Sequence, residues 1–390
     1  MFAVLPTIRK PLAWLWVAIV AGLSACAPGP SPQVGPISGA RDAVQVALLV
    51  PDGSERAGDA LYAEALENAA RMAMADLQGV TVDLRVYPTA GQETQAASQA
   101  LRAVDDGAQV ILGPLYALET NAAGLAIGAK GVPVLSFSNN AQVAGGNVFV
   151  LGPTFANTAN RLMAFAAAQG KSRIAIVFDD NQSGQLARRA IEQAARNAGV
   201  SVVTANGYAL SQQGIIEAVP GIAQAILATQ ADAVIFTADT AAALPLVSQL
   251  LADKGIDPAV IQYMGLSRWD VPATAISLPA LQNGWFARPD PTLFAEFSAR
   301  YSEIHADAPL PLAGLAYDGI AAIGALVRAR GTGALQPKGL AQGSGFLGVN
   351  GVFRLLPDGT NERALAIAKI NNNQVIEIDP APRYFANTGF

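Results

Sequence analysis

Cysteine and histidine are almost missing from this chain: Cys26 and His305 stand alone in 390 residues. A lone cysteine excludes an internal disulfide and a cysteine metal cluster. One histidine and no usable thiol leave no Ser-His-Asp or Cys-His catalytic set. His305, beside Glu303 and Asp307, reads as a surface side chain. Charge is sparse too. Charged residues make up 14% of the sequence, the net charge is −5, and no basic stripe is present, so nucleic acid is a poor partner. Paired-carboxylate hydrolysis stays open on composition alone, but Asp179 and Asp180 are consecutive and would face opposite ways on a strand. The expectation is a protein that is not an enzyme, with no cofactor and no metal.

What is present is apolar and small. Hydrophobic residues reach 52%, with Ala and Gly abundant, and the length suits two lobes. Near the start, Arg9 and Lys10 precede an apolar stretch, 11–22, too short to span a bilayer comfortably. Leu23-Ser24-Ala25-Cys26 closes it and resembles the bacterial lipobox, in which the cysteine is acylated and becomes the first mature residue. The competing readings are an ordinary secretory leader and an uncleaved anchor. Residues 1–25 are thus expected to be a signal peptide, with lipidation at Cys26 and anchoring to the membrane. Ala27 follows, where Asp usually retains such lipoproteins in the inner membrane, which favours the outer one. Residues 26–41 alternate Pro with Gly and read as a tether, reaching at most on the order of 50 Å.

The folded part is organised around 109–140. Val110-Ile111-Leu112 is a strand-length apolar run stopped by Gly113-Pro114; a helix follows from Tyr116 to Lys130; Val132-Pro133-Val134-Leu135 then runs into Ser138-Asn139-Asn140. Strand, helix and strand form a right-handed βαβ unit. Runs apolar on both faces fit parallel strands covered by helices, with ligands at the carboxyl ends of the strands. The same rhythm recurs: Val44–Val50, a helix over Asp59–Leu77, a strand ending at Phe178-Asp179-Asp180, and another at Phe236-Thr237. A helix around Ile215–Ala228 is expected to break or restart at Pro220, and 351–378 reads as a small antiparallel finish. The expected fold class is α/β, with two doubly wound parallel-sheet lobes. Lobe one takes 42–155 plus 289–343, and lobe two takes 156–288 plus 344–390.

Taken together, Val110-Ile111-Leu112-Gly113-Pro114, Gly131-Val132-Pro133-Val134-Leu135-Ser136, Phe178-Asp179-Asp180, Trp269-Asp270, Gly284-Trp285 and Ala316-Tyr317-Asp318 resemble the type I periplasmic-binding fold of the leucine/isoleucine/valine-binding proteins. The resemblance covers roughly 44–378 and implies lobes joined by crossing hinge segments. It also exposes departures. The family's amino-acid binders usually hold the ligand carboxylate with a Ser where this chain has Ala117. They hold the ammonium with a small residue and Thr where Asn139 and Asn140 stand, and they often carry a Tyr where Ser183 precedes Gly184. Candidate cleft residues are Tyr116, Ala117, Ser138, Asn139 and Asn140 from one lobe, with Asp180, Ser183, Asp239 and Trp269 from the other. The bland alternative is helix capping for Asn139 and Ser183, and core packing for Trp269.

A lipid-anchored chain of this fold with an altered site most resembles the penicillin-binding protein activators. That resemblance implies a peptidoglycan synthase as partner and regulation of peptidoglycan synthesis, ranked ahead of solute capture for an ABC transporter. A small polar ligand in the cleft fits either. Two motifs carry less. Gly343-Ser344-Gly345-Phe346-Leu347-Gly348 fits GxGxxG but opens into no helix. Asp179–Gly184 begins like a calcium loop, yet its twelfth position is Ala190 where a bidentate Glu is needed.

Overall fold

The computed structural model describes residues 43–385. The expected signal peptide, Cys26 and the expected tether lie outside the described residues. The chain opens with β1 (Val44–Val50), α1 (Asp59–Asp76), β2 (Val82–Pro88), α2 (Glu93–Asp105), β3 (Val110–Leu112), α3 (Ala117–Ile127), β4 (Val134–Ser136) and β5 (Val148–Val150). These strands form one parallel sheet in the order β2-β1-β3-β4-β5. The side-chain period of two explains the unbroken apolar runs. Val46, Leu48 and Val50 enter the core under α1, while Ala47 and Leu49 enter the core with residues of α2 and α3.

The second lobe runs through α4 (Phe155–Ala168), β6 (Arg173–Asp179), α5 (Gln182–Ala198), β7 (Ser201–Tyr208), α6 (Gln212–Ala228), β8 (Ala233–Phe236), α7 (Leu244–Asp253), β9 (Gln262–Gly265) and β10 (Trp285–Arg288). It too is covered on both faces, with Ile174, Ile176 and Phe178 on one side of β6 and Ala175 and Val177 on the other. Pro220 sits inside α6 without ending it. Its side chain is on the exposed face, and the helix continues through the kink-prone position.

The chain then returns through α8 (Pro291–His305) and α9 (Ala313–Arg330), which packs along α1. After the short α10 (Pro337–Leu340) come β11 (Phe346–Gly348), β12 (Gly351–Leu355), β13 (Asn361–Arg363), β14 (Ala366–Asn371) and β15 (Gln374–Asp379). The glycine-rich 343–348 stretch is thus part of an antiparallel β11-β12-β13 sheet and opens no helix. Phe346, Phe353 and Leu355 are buried in the first lobe's core, whereas β14 and β15 extend the second sheet, giving β15-β14-β10-β9-β8-β6-β7. The final crossing therefore falls between β13 and β14, about twenty residues after the expected boundary at 343/344.

Three segments join the lobes: β5 to α4, β10 to α8, and β13 to β14. The first and third are laced together. The Asn361 side chain donates to the Val150 and Gly152 carbonyls at 2.7 and 2.9 Å, and Asn157 donates to the Asn361 carbonyl at 2.9 Å. Among the described residues no helix is long and apolar enough to cross a membrane.

Candidate functional site

The carboxyl ends of the strands position the first lip. After β3 the chain turns at Gly113, whose φ of 93° and whose approach to the Leu49 carbonyl leave no space for a Cβ. Tyr116 follows as the N-cap of α3, half-buried against the first lobe's core. Its hydroxyl donates to Asp59, and the Arg56 guanidinium lies 4.6 Å from its ring centroid. Burial, helped by the bond to Asp59, pushes the Tyr116 hydroxyl up to about 12, so it stays a protonated donor at neutral pH. Asp59 itself is 2% exposed, and its Oδ2 is buried with no hydrogen-bond partner. Ala117 begins α3 and is half-buried. Behind it, Glu119 accepts from Thr89 Oγ1 at 2.5 Å, and burial pushes its carboxyl up.

The second strand end behaves partly as capping. Ser138 is buried, and its hydroxyl accepts from the Asn140 N–H at 3.1 Å. Asn140 Oδ1 accepts from the Gln142 N–H at 2.9 Å, holding a short 3₁₀ turn. Asn139 projects between them, exposed.

On the second lobe, consecutive Asp179 and Asp180 diverge as the strand period requires. Asp179 accepts from the Tyr208 hydroxyl, while Asp180 is exposed and accepts from Gln185 Nε2 at 3.0 Å. Asn181, not Ser183, caps α5 by accepting from the Gly184 N–H at 2.9 Å, which leaves Ser183 exposed in the first turn. Asp239 is exposed and accepts from the Ala241 N–H at 2.8 Å.

Trp269 does not belong with these. It is 0% exposed and sits in the second lobe's core between Phe236 and Phe286, with ring centroids 6.5 and 6.3 Å away. Gly265 and Gly284 make the room: a Cβ at either would fall 2.2 Å from an indole atom. Of the two readings open for this side chain, core packing is the one it adopts.

Sequence reasoning missed a further hollow of about 250 Å³ beside the crossings. Both lobes line it, among others through Thr154 after β5, Leu266 and Arg268 after β9, Arg288 at the end of β10, Leu312 before α9, and Arg363 on β13. The chain just past β5 and β9 and the end of β10 therefore meet at this hollow, and none of the candidate lip residues lines it. Among the described residues no cluster of three His, Cys, Asp or Glu could hold a metal ion.

A family model described as periplasmic binding protein matches residues 43–374. Against curated proteins the chain has no match. Among solved structures it is similar to a putative branched-chain amino acid ABC transporter from Rhodospirillum rubrum, with 19% identity and a TM-score of 0.73, over 86% of this chain and 100% of that one. An ABC transporter substrate-binding protein from Desulfitobacterium hafniense in complex with Leu aligns at 17% identity and 0.64, over 86% and 100%. A solute binding protein of an ABC transporter from Rhodopseudomonas palustris BisB5, in complex with 3,4-dihydroxybenzoic acid, aligns at 17% and 0.59, over 88% and 99%. Identities this low speak to fold alone. With the family model spanning most of its length and two parallel-sheet lobes joined by three crossings, the chain belongs to the periplasmic binding protein family, in its type I fold.

Proposed function

We propose that this protein is a non-catalytic periplasmic receptor that captures a small polar organic solute between its lobes and hands it to an ABC transporter. One observation carries this reading. The strand-end lips of both lobes carry exposed short polar side chains (Asn139, Asp180, Ser183 and Asp239), and among the described residues the carboxylates of Asp180 and Asp239 accept only from Gln185 and the Ala241 N–H close by in the chain. Such groups keep donors and acceptors for a solute at the position where parallel sheets bind ligands. The structural neighbours that carry Leu or 3,4-dihydroxybenzoic acid support the class. Arg56, exposed over the Tyr116 ring, supplies a cation for an acidic group on the solute. Because Ala117 offers no hydroxyl to a ligand carboxylate, the ligand set differs from that of a leucine binder.

Calorimetry against amino acids, aromatic acids and other small polar metabolites tests the proposal. Micromolar binding of at least one is the expected result, and silence across the panel would count against it.

The same Ala117 favours a second reading, in which the cleft has lost its solute and the protein, lipid-anchored through Cys26 to the outer membrane, activates a peptidoglycan synthase. Its test is whether the purified protein raises the glycan polymerisation or peptide cross-linking rate of a penicillin-binding protein. No change in rate retires it.

A further inference from the structure

The end of the described chain runs back across the molecule. β15 is the edge strand of the second sheet, and Arg161 on α4 clamps its last residue. A terminal nitrogen of Arg161 donates to the Asp379 carboxylate at 2.7 Å and reaches the Asp379 and Pro380 carbonyls at 3.4 Å, while its Nε donates to the Leu365 carbonyl at 2.6 Å. Leu365 belongs to the crossing from β13 to β14. One second-lobe side chain therefore holds both that crossing and the start of the tail.

The tail leaves this clamp as Pro380-Ala381-Pro382-Arg383-Tyr384-Phe385. Arg383 and Tyr384 are exposed, Tyr384 at 76%, yet Phe385 is half-buried. Its ring centroid lies 4.7 Å from the guanidinium of Arg354 on β12. Arg354 is itself buried and held in place, donating to Glu362 at 2.5 Å and to the Gly343 carbonyl at 3.1 Å. Gly345 leaves room for the ring, since a Cβ there would fall 3.2 Å from it. A desolvated guanidinium beneath an aromatic face is the strong form of this contact. The β11-β12-β13 sheet that carries it sends Phe346, Phe353 and Leu355 into the first lobe's core. The tail thus starts on the second lobe and ends on the first.

Its composition suits a strut. Pro380 and Pro382 fix φ near −65° and keep the backbone extended. Five peptide steps separate Pro380 from Phe385, so the two anchors can lie at most about 18 Å apart. A hinge rotation that carries them further apart must lift Phe385 off Arg354. We infer that residues 380–385 are a strap, a fourth link between the lobes closed by Phe385 on Arg354, which limits the hinge angles the three crossings allow. None of the lip residues takes part, so the strap stands whether or not the lips take a solute.

Spin labels read the hinge directly. Cysteines replace the exposed Leu61 on α1 and Leu227 on α6, in the full chain with Cys26→Ser, and pulsed electron double resonance gives the distance distribution between the lobes. Phe385→Ala should widen that distribution by about twofold or more, and a chain ending at Pro380 should widen it as much. Tyr384→Ala, at the exposed neighbour, should leave it unchanged. Labels at Leu61 and Leu101, both on the first lobe, should stay narrow throughout, and circular dichroism establishes that each variant is folded. An unchanged distribution in Phe385→Ala or in the shortened chain, equal widening in Tyr384→Ala, or widening of the pair within one lobe would overturn the strap.

Discussion

Asp318 and Arg363 form an ion pair 3.3 Å apart with both side chains shut away from water, tying α9 to the crossing strand β13. Asp318 also accepts from the Val349 N–H at 2.7 Å and from Asn350 Nδ2 at 3.1 Å, while Arg363 reaches the Leu151 carbonyl at the end of β5. Gly348 is what lets the β11-β12 turn close over this pair, since a Cβ there would fall 2.1 Å from Asp318 Oδ1. The pair thus pins two of the three crossings to the first lobe. Removing one partner leaves the other charge buried and uncompensated. Asp318→Asn or Arg363→Met should therefore cost about 3–5 kcal/mol, measured by urea unfolding. A loss below ~1 kcal/mol would mean that water reaches the seam.

Trp269 gives a sharper separation of core from site. Trp269→Ala should lower stability by about 3–5 kcal/mol through the cavity it leaves. Asn139→Ala, on an exposed lip, should change stability by no more than about 0.5 kcal/mol. Paired denaturation curves check this. Similar losses in the two variants would place Trp269 at the surface.

Asp76 predicts a pH dependence. Burial pulls its carboxyl up, but hydrogen bonds from Arg300 at 2.8 Å and Tyr317 at 2.5 Å, with the charge of Arg300, outweigh that and hold it below its ordinary value of 3.8. A depressed folded-state value means the contribution is fully present above the unfolded value and is lost as pH falls through the folded one. The melting-temperature gap between the wild type and Asp76→Asn should be steady above about pH 5 and shrink below 3.8. A gap that widens on acidification would reverse the assignment.

At the lip, Tyr116→Phe removes the hydroxyl that Asp59 accepts from, and the other carboxylate oxygen of Asp59 already lacks a partner. The expected cost is about 1–3 kcal/mol. Arg56→Ala should instead leave stability within about 0.5 kcal/mol and weaken an acidic solute. Chemical denaturation and calorimetry read the two effects separately.

The fold was legible because the central parallel strands are apolar on both faces, while the edge strands β2 and β7 carry exposed polar residues. Val44–Val50 and Arg173–Phe178 feed two cores at once, and no other arrangement needs such runs. The lips were legible for the same reason, since strand ends follow from strands. Distance in the chain hid the rest. Arg268, Arg288 and Arg363 meet only through the folding of the second sheet and the crossing strands, and no local period links them. The space that admits Trp269 comes from glycines on β9 and before β10, which come beside it only in the folded chain. The antiparallel finish over 351–378 was legible, but not that Phe353 and Leu355 on β12 join the first lobe's core while β14 joins the second sheet.

The most direct test is mass spectrometry of small molecules released on denaturing the protein purified from its own cell envelope. Capture between the lobes predicts a single polar organic compound at about one per chain, absent when Asn139 and Ser183 are both replaced by Trp. An empty cleft, with a peptidoglycan synthase co-purifying in its place, would contradict the receptor account.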